Sequence, residues 1–133
     1  MLALDNPEAL ESLHRDFQHA GSDVVQAFTY NGHREKMRVI NKEHLLEPLN
    51  RAALRIARKC ADNPPKGLGI SLMAGNISNS NIWEQDNKRV QNEVRSMFAE
   101  MYEKSKEIDS RRSKEKSKEI DSRYSPEKSR DPE

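Results

Sequence analysis

The stretch "HAGSDVVQAFTYNG", residues 19–32, decides how the rest of the chain is read. Gly21 stands where a helix needs a left-handed residue in order to stop. Residues 23–28 form a short, mostly apolar run, and Asn31-Gly32 breaks the chain again. A run this short between two breaks predicts a strand. It ends on Thr29 and Tyr30, two side chains able to hydrogen-bond, and that ending raises the question of what the strand delivers.

Upstream, Asn6 and Pro7 are an N-cap followed by proline at the first helical position. Leu10, Leu13, Phe17 and Ala20 recur at three- and four-residue spacing and predict one apolar stripe. Downstream, a polar segment covers residues 31–42. A second helix is predicted over residues 43–62, with Leu46, Leu49, Ala53, Ile56, Ala57 and Cys60 on its buried side. Pro48 is tolerated only in a first turn, which moves the start toward Glu47. Asn63-Pro64-Pro65 stops it. "GISLMA", residues 69–74, reads as a second strand, and "GNISNSN", residues 75–81, as a loop rich in amides and hydroxyls. Val90, Val94, Met97, Phe98 and Met101 mark a third helix starting near Asp86. Strands alternating with helices imply parallel pairing through crossover connections.

The composition is uneven. Of 133 residues, 34% are apolar and 34% charged, but apolar periodicity stops at Tyr102. From Glu103 onward the only aliphatic residues are Ile108 and Ile120. "EKSKEIDSR" occurs twice there, at residues 103–111 and 115–123. One isoleucine per unit cannot offset the entropy of ordering it. Glu–Lys spacing extends the third helix partway, and the rest of residues 103–133 is expected to be a disordered, charged tail. Its Ser-Arg and Ser-Lys pairs suit a phosphorylation-tuned segment less well than a plain solvated one.

The net charge of +1 argues against nucleic acid or an anionic membrane as partner. A single cysteine, Cys60, cannot form an internal disulfide. The absence of a secretory or transmembrane run makes a reduced, cytoplasmic location the expectation. His14, His19, His33 and His44 are scattered, without the close helical spacing of a zinc motif, so surface or hydrogen-bonded structural roles are expected. "AGNISNSN" has one glycine and no following lysine, unlike a phosphate loop. Trp83 suits cover over the rim better than a binding hot spot.

Barrel and doubly wound folds share this local pattern, and both gather chemistry at the carboxyl ends of their strands. Those ends are Thr29, Tyr30 and Asn31, then Gly75, Asn76 and Ser78. A polar strand end is also simply where a strand meets water, and position alone favours that plainer reading.

Four consecutive blocks favour the functional reading. "PEALESLHRDFQHAGSDVVQAFTY", residues 7–30, resembles the first helix and second strand of the homocysteine S-methyltransferase family. "LNRAALRIARKCAD", "LMAGNISNSNIW" and "VQNEVRSMFAEM" resemble the helix, strand and helix that follow. The likeness covers residues 6–101 and is strongest toward the betaine-type enzymes. It implies part of an eight-stranded (β/α) barrel, an incomplete TIM-barrel fragment of two parallel strands and three helices. An intact enzyme of the family binds zinc and moves a methyl group from a donor to the sulfur of homocysteine, giving methionine.

The resemblance also implies what should be missing. The three zinc-binding cysteines of the family have no counterpart here, and Cys60 lies on an apolar helical stripe. The family's opening strand, with its Gly-Asp-Gly-Gly turn, should precede Pro7. Where betaine-type members carry a second aromatic after Thr-Phe or Thr-Tyr, this chain has Asn31, which speaks against betaine as donor. The expectation is a partial barrel over residues 6–102, with no catalytic residue, metal ligand or cofactor of its own. Thr29 and Tyr30 would line the donor or substrate pocket of a whole enzyme, with Asn31, Asn76 and Asn79 as weaker candidates. The competing expectation is a non-catalytic protein that docks on a full-length relative.

Overall fold

Asn6 acts as the sequence requires. Its Oδ1 accepts the Ala9 N–H at 3.1 Å, with Pro7 at the first helical position. Gly21 ends that helix at φ +98°, a conformation open to glycine at little cost. The computed structural model describes the backbone of residues 1–124 and the side chains through Ile108. The elements are α1 (Leu2–Asp5), α2 (Pro7–His19), β1 (Val24–Gln26), α3 (Arg34–Val39), a 3-10 turn (Glu43–Leu45), α4 (Leu46–Asp62), β2 (Leu72–Ala74) and α5 (Lys88–Tyr124).

β1 and β2 pair in parallel, with Val24 beside Leu72 and Gln26 beside Ala74. The architecture is therefore a mixed α/β one built on a two-stranded parallel sheet. One face of that sheet is covered. Val25 and Ala27 join Leu54, Ala57, Cys60, Ala61 and Ile108 in a core between β1, α4 and α5. A second cluster joins Ala3, Leu10 and Met37 to Leu49 and Ala53 of α4. α4 thus touches both clusters and is the central element.

Three details depart from the sequence reading. The stripe expected on α2 is rotated: Leu10, His14 and Gln18 are buried, while Leu13 and Phe17 are exposed at 39% and 59%. The reason is polar pairing with α4. Gln18 Nε2 donates to the Cys60 carbonyl at 3.1 Å and to Ser71 Oγ at 2.9 Å. Glu11 adds contacts to Lys59 Nζ at 2.7 Å and to Arg15. The polar segment 31–42 is not all loop, because it contains α3, which buries Met37 completely.

The third departure is the reach of α5. Ile108 lies in the core, Arg51 Nη2 meets Glu107 at 2.9 Å, and Lys104 Nζ meets Glu47 at 3.0 Å. The partial extension expected from Glu–Lys spacing is therefore a packed one as far as Ile108, and the helical backbone continues to Tyr124. The disorder expected at residues 125–133 lies outside the described residues. Among the described residues no helix is long and apolar enough to cross a membrane. Replacing Ile108 by Ala should destabilise the chain by roughly 2–4 kcal/mol in urea unfolding. An unchanged midpoint would show that this part of the charged segment does not belong to the core.

Candidate functional site at the strand ends

Two carboxyl strand ends lie side by side, and one hydroxyl ties them. Thr29 Oγ1 donates to the Asn76 carbonyl at 2.7 Å and accepts the Asn76 N–H at 3.1 Å. The Ala27 N–H reaches the Ala74 carbonyl at 2.7 Å and carries the ladder beyond β1. Thr29 is 3% exposed, so this is a buried two-way bond across the mouth of the sheet. Its hydroxyl is occupied by the loop after β2.

Two further polar side chains hold the loops, and neither was singled out from the sequence for this role. His33 caps α3 by accepting the Lys36 N–H at Nδ1, at 3.4 Å. That leaves the proton on Nε2, which donates to the Asn79 carbonyl at 3.0 Å. The ring is fully buried, edge-on to Phe98 at 6.4 Å between centroids. Asn50 of α4 donates through Nδ2 to the carbonyls of Gly32, at 2.5 Å, and Leu46, at 3.0 Å. Gly32 is glycine for reasons of space: a Cβ there would collide with the Asn50 amide and approach the Thr29 carbonyl at 3.0 Å. The sequence signal for Asn50 is a polar residue set within the apolar stripe of Leu46, Leu49 and Ala53. For His33 it is a ring placed just before a short charged helix.

The five predicted residues divide among three cavities. Thr29 and Asn76 line one of about 370 Å3, between the strand ends and α5, with Met73, Met101 and Ser105. Tyr30 and Asn76 line a second, of about 360 Å3, which runs along residues 24–28 and is bordered by Leu13, His14 and Phe17 of α2. Tyr30 also joins Asn31 in a third, of about 400 Å3, with Leu2 and Leu49. Asn79 offers its carbonyl to His33, and its amide lines none of these cavities. The Lys36 ammonium sits 5.2 Å from the centre of the Tyr30 ring, which places a positive charge on an aromatic face at the rim.

His14 and His33 are both held below their ordinary pKa of 6.5, each chiefly by burial. His14 Nε2 has no partner, so it differs from the surface or hydrogen-bonded histidine expected, whereas His33 fits that expectation. Cys60 is fully buried in the core, and burial pushes its thiol up, away from the thiolate form that binds metals. Among the described residues, no three His, Cys, Asp or Glu side chains come together as a metal site.

Two parallel strands with their loops held at the carboxyl ends beside packed helices form an α/β strand-end site. Comparison with known proteins specifies it. The model of the homocysteine S-methyltransferase family matches residues 1–111, and the chain belongs to that family. Betaine–homocysteine S-methyltransferase 1 of Mus musculus is 32% identical over 105 residues, covering 76% of this chain and 24% of the relative. The Pongo abelii protein of the same name is 39% identical over 82 residues, 57% of this chain and 18% of the relative. The S-methylmethionine–homocysteine S-methyltransferase of Rattus norvegicus is 32% identical over 91 residues, 67% of this chain and 22% of the relative. The matched region thus spans a quarter or less of these relatives. Among the described residues, the His, Cys, Asp and Glu side chains do not gather into the donor set that the zinc implied by the resemblance would need.

Two outcomes follow from the polar scaffold. Thr29→Val keeps the shape but leaves the Asn76 N–H and carbonyl without their partner, which should cost roughly 1–3 kcal/mol in urea unfolding, while Thr29→Ser should retain most of the stability. The two histidines set a pH dependence. Because burial lowers both pKa values in the folded chain, the unfolded chain takes up protons first as pH falls through 6.5. Their contribution is fully present above that value and is lost below it. Unfolding free energy measured from about pH 7.5 to about pH 5.5 should therefore fall, and a His14→Leu, His33→Asn double variant should show a flatter profile. Parallel profiles would contradict the assignment.

Proposed function

We propose that this chain carries the rim of the second and third strands of a homocysteine S-methyltransferase barrel and is not a methyltransferase by itself. The reaction of the family joins a donor's methyl group to the sulfur of homocysteine, giving methionine. In that reading Tyr30 and Asn76 face the donor or the amino acid substrate across the uncovered side of the sheet. Thr29 acts as a positioning residue that holds the two strand ends together. Asn31 and Asn79 stand further from that cavity and contribute less.

The observation that carries the reading is the Thr29–Asn76 pair. It brings the polar ends of two parallel strands into one mouth, on a chain of the homocysteine S-methyltransferase family. Two features of the described residues support the reading of inactivity. The one cysteine, Cys60, is buried in the core, and among the described residues no three His, Cys, Asp or Glu side chains come together to hold a metal that would keep homocysteine as its thiolate. Incubating the chain with homocysteine, betaine or S-methylmethionine, and added zinc should yield no methionine above the protein-free control. Turnover would overturn the claim of inactivity.

A second reading, in which the chain is a non-catalytic partner that docks on a full-length relative, is favoured by the apolar sheet face left open. Mixing the two should then give a stable one-to-one complex, and failure to co-purify would remove this reading.

A further inference from the structure

His33 joins three parts of the molecule that are far apart in sequence. Its Nδ1 accepts the Lys36 N–H and so caps α3 at 3.4 Å, while its Nε2 donates to the Asn79 carbonyl at 3.0 Å. Phe98 of α5 meets the ring edge-on. Both bonds at once require a neutral ring with its single proton on Nε2. The loop after β2, residues 75–81, is tied to the chain after β1 at two points. Thr29 holds Asn76, and His33 holds Asn79. The bonds of Ser78 and Ser80 are local, to the Asn79 carbonyl and the Ile82 N–H, so they fix the loop to nothing beyond itself.

We propose that His33 is a proton-operated latch: the neutral ring holds α3 to the loop after β2, and the protonated ring lets them part. An imidazolium carries a donor on both nitrogens. Its Nδ1 can no longer accept the Lys36 N–H and points an N–H at it instead. The ring is also fully buried, so the new charge would sit away from water. The charged groups around it offer little compensation. On α3, Glu35 is already paired with Arg38 at 2.6 Å, and the Lys36 ammonium repels a second cation. Arg34 is a further cation beside the ring in sequence, and Glu100 of α5 is paired with it at 2.8 Å. Residues 75–81 carry no charged side chain at all. One bond to the Asn79 carbonyl does not offset burying an unpaired cation. The protonated ring therefore leaves its site for water, and the α3 cap and the Asn79 bond go with it. The Thr29–Asn76 tie holds no group that titrates in this range, so the strand ends stay joined while the loop beyond Asn76 comes free.

The latch requires no catalytic role for the chain. The test is amide hydrogen exchange of the 133-residue chain, followed by NMR from about pH 7.5 to about pH 5. Burial holds the closed ring below its ordinary pKa of 6.5, so opening takes up a proton as pH falls under that value. The protection factor of the Lys36 amide should then fall about tenfold per pH unit. The resonances of residues 77–81 should shift over the same range. The Asn76 amide should stay protected and the helical circular dichroism unchanged, which marks the opening as local. His33→Asn keeps a capping oxygen without an ionisable ring and should abolish the pH response at Lys36. His14→Leu removes the other buried histidine and should preserve it. A Lys36 protection factor that stays level, or a response that survives His33→Asn or disappears in His14→Leu, would overturn the proposal. Loss of Asn76 protection at the same midpoint would overturn it as well, because the whole mouth would then be melting.

Discussion

The fold of this chain turns on one hydroxyl. Each strand of its sheet is three residues long, and a two-stranded sheet of that length is marginal in water. Thr29 supplies what the ladder lacks by satisfying both backbone groups of Asn76 at once, in a buried setting where each unmade bond would carry a desolvation penalty. The loop after β1 and the loop after β2 are thereby joined close to where they leave the strands. His33 and Asn50 extend the same principle outward. Through them α3 is fixed to the second loop, and α4 to the turn at Gly32. Buried polar groups that are mutually satisfied in this way specify one arrangement of loops where apolar contacts would allow several.

Around that mouth the chain divides into a helix-covered side and a bare side, and the division explains its composition. The apolar residues of α4 and the inward positions of β1 build the core. Many of the larger apolar side chains are spent on the other face, where nothing in the described residues covers them. α2 shows the same division in miniature. Its polar His14 and Gln18 turn toward the interior while Phe17 lies outside beside the strand. An amphipathic helix with its polar side inward is stable only because Gln18 finds Cys60 and Ser71 there.

Much of the fold was legible, because its signals are local. Asn6, Pro7, Gly21 and the double proline after Asn63 each act on their own backbone. The two short apolar runs fell in the right places, and the parallel pairing followed from the crossovers. What was not legible depends on partners far apart in sequence. The rotation of α2 is set by residues 42 and 53 positions away. α3 escaped notice because a six-residue helix with one buried methionine has too little periodicity to show. The reach of α5 into the charged repeat rests on Ile108 finding the α4 core, which no local pattern announces. At the site, Thr29 was found by its position at a strand end, but the use of its hydroxyl was not. His33 and Asn50 were missed in this role because their importance lies in carbonyls supplied by other loops.

The account depends most directly on the joining of the two strand ends. Amide hydrogen exchange at Asn76 tests that joining, because its N–H lies in a loop and has the Thr29 hydroxyl as its acceptor. The N–H should be protected to the same degree as the amides of β1 and β2 and should lose that protection in Thr29→Val. Exchange of Asn76 at the rate of an open loop in the unaltered chain would contradict the account.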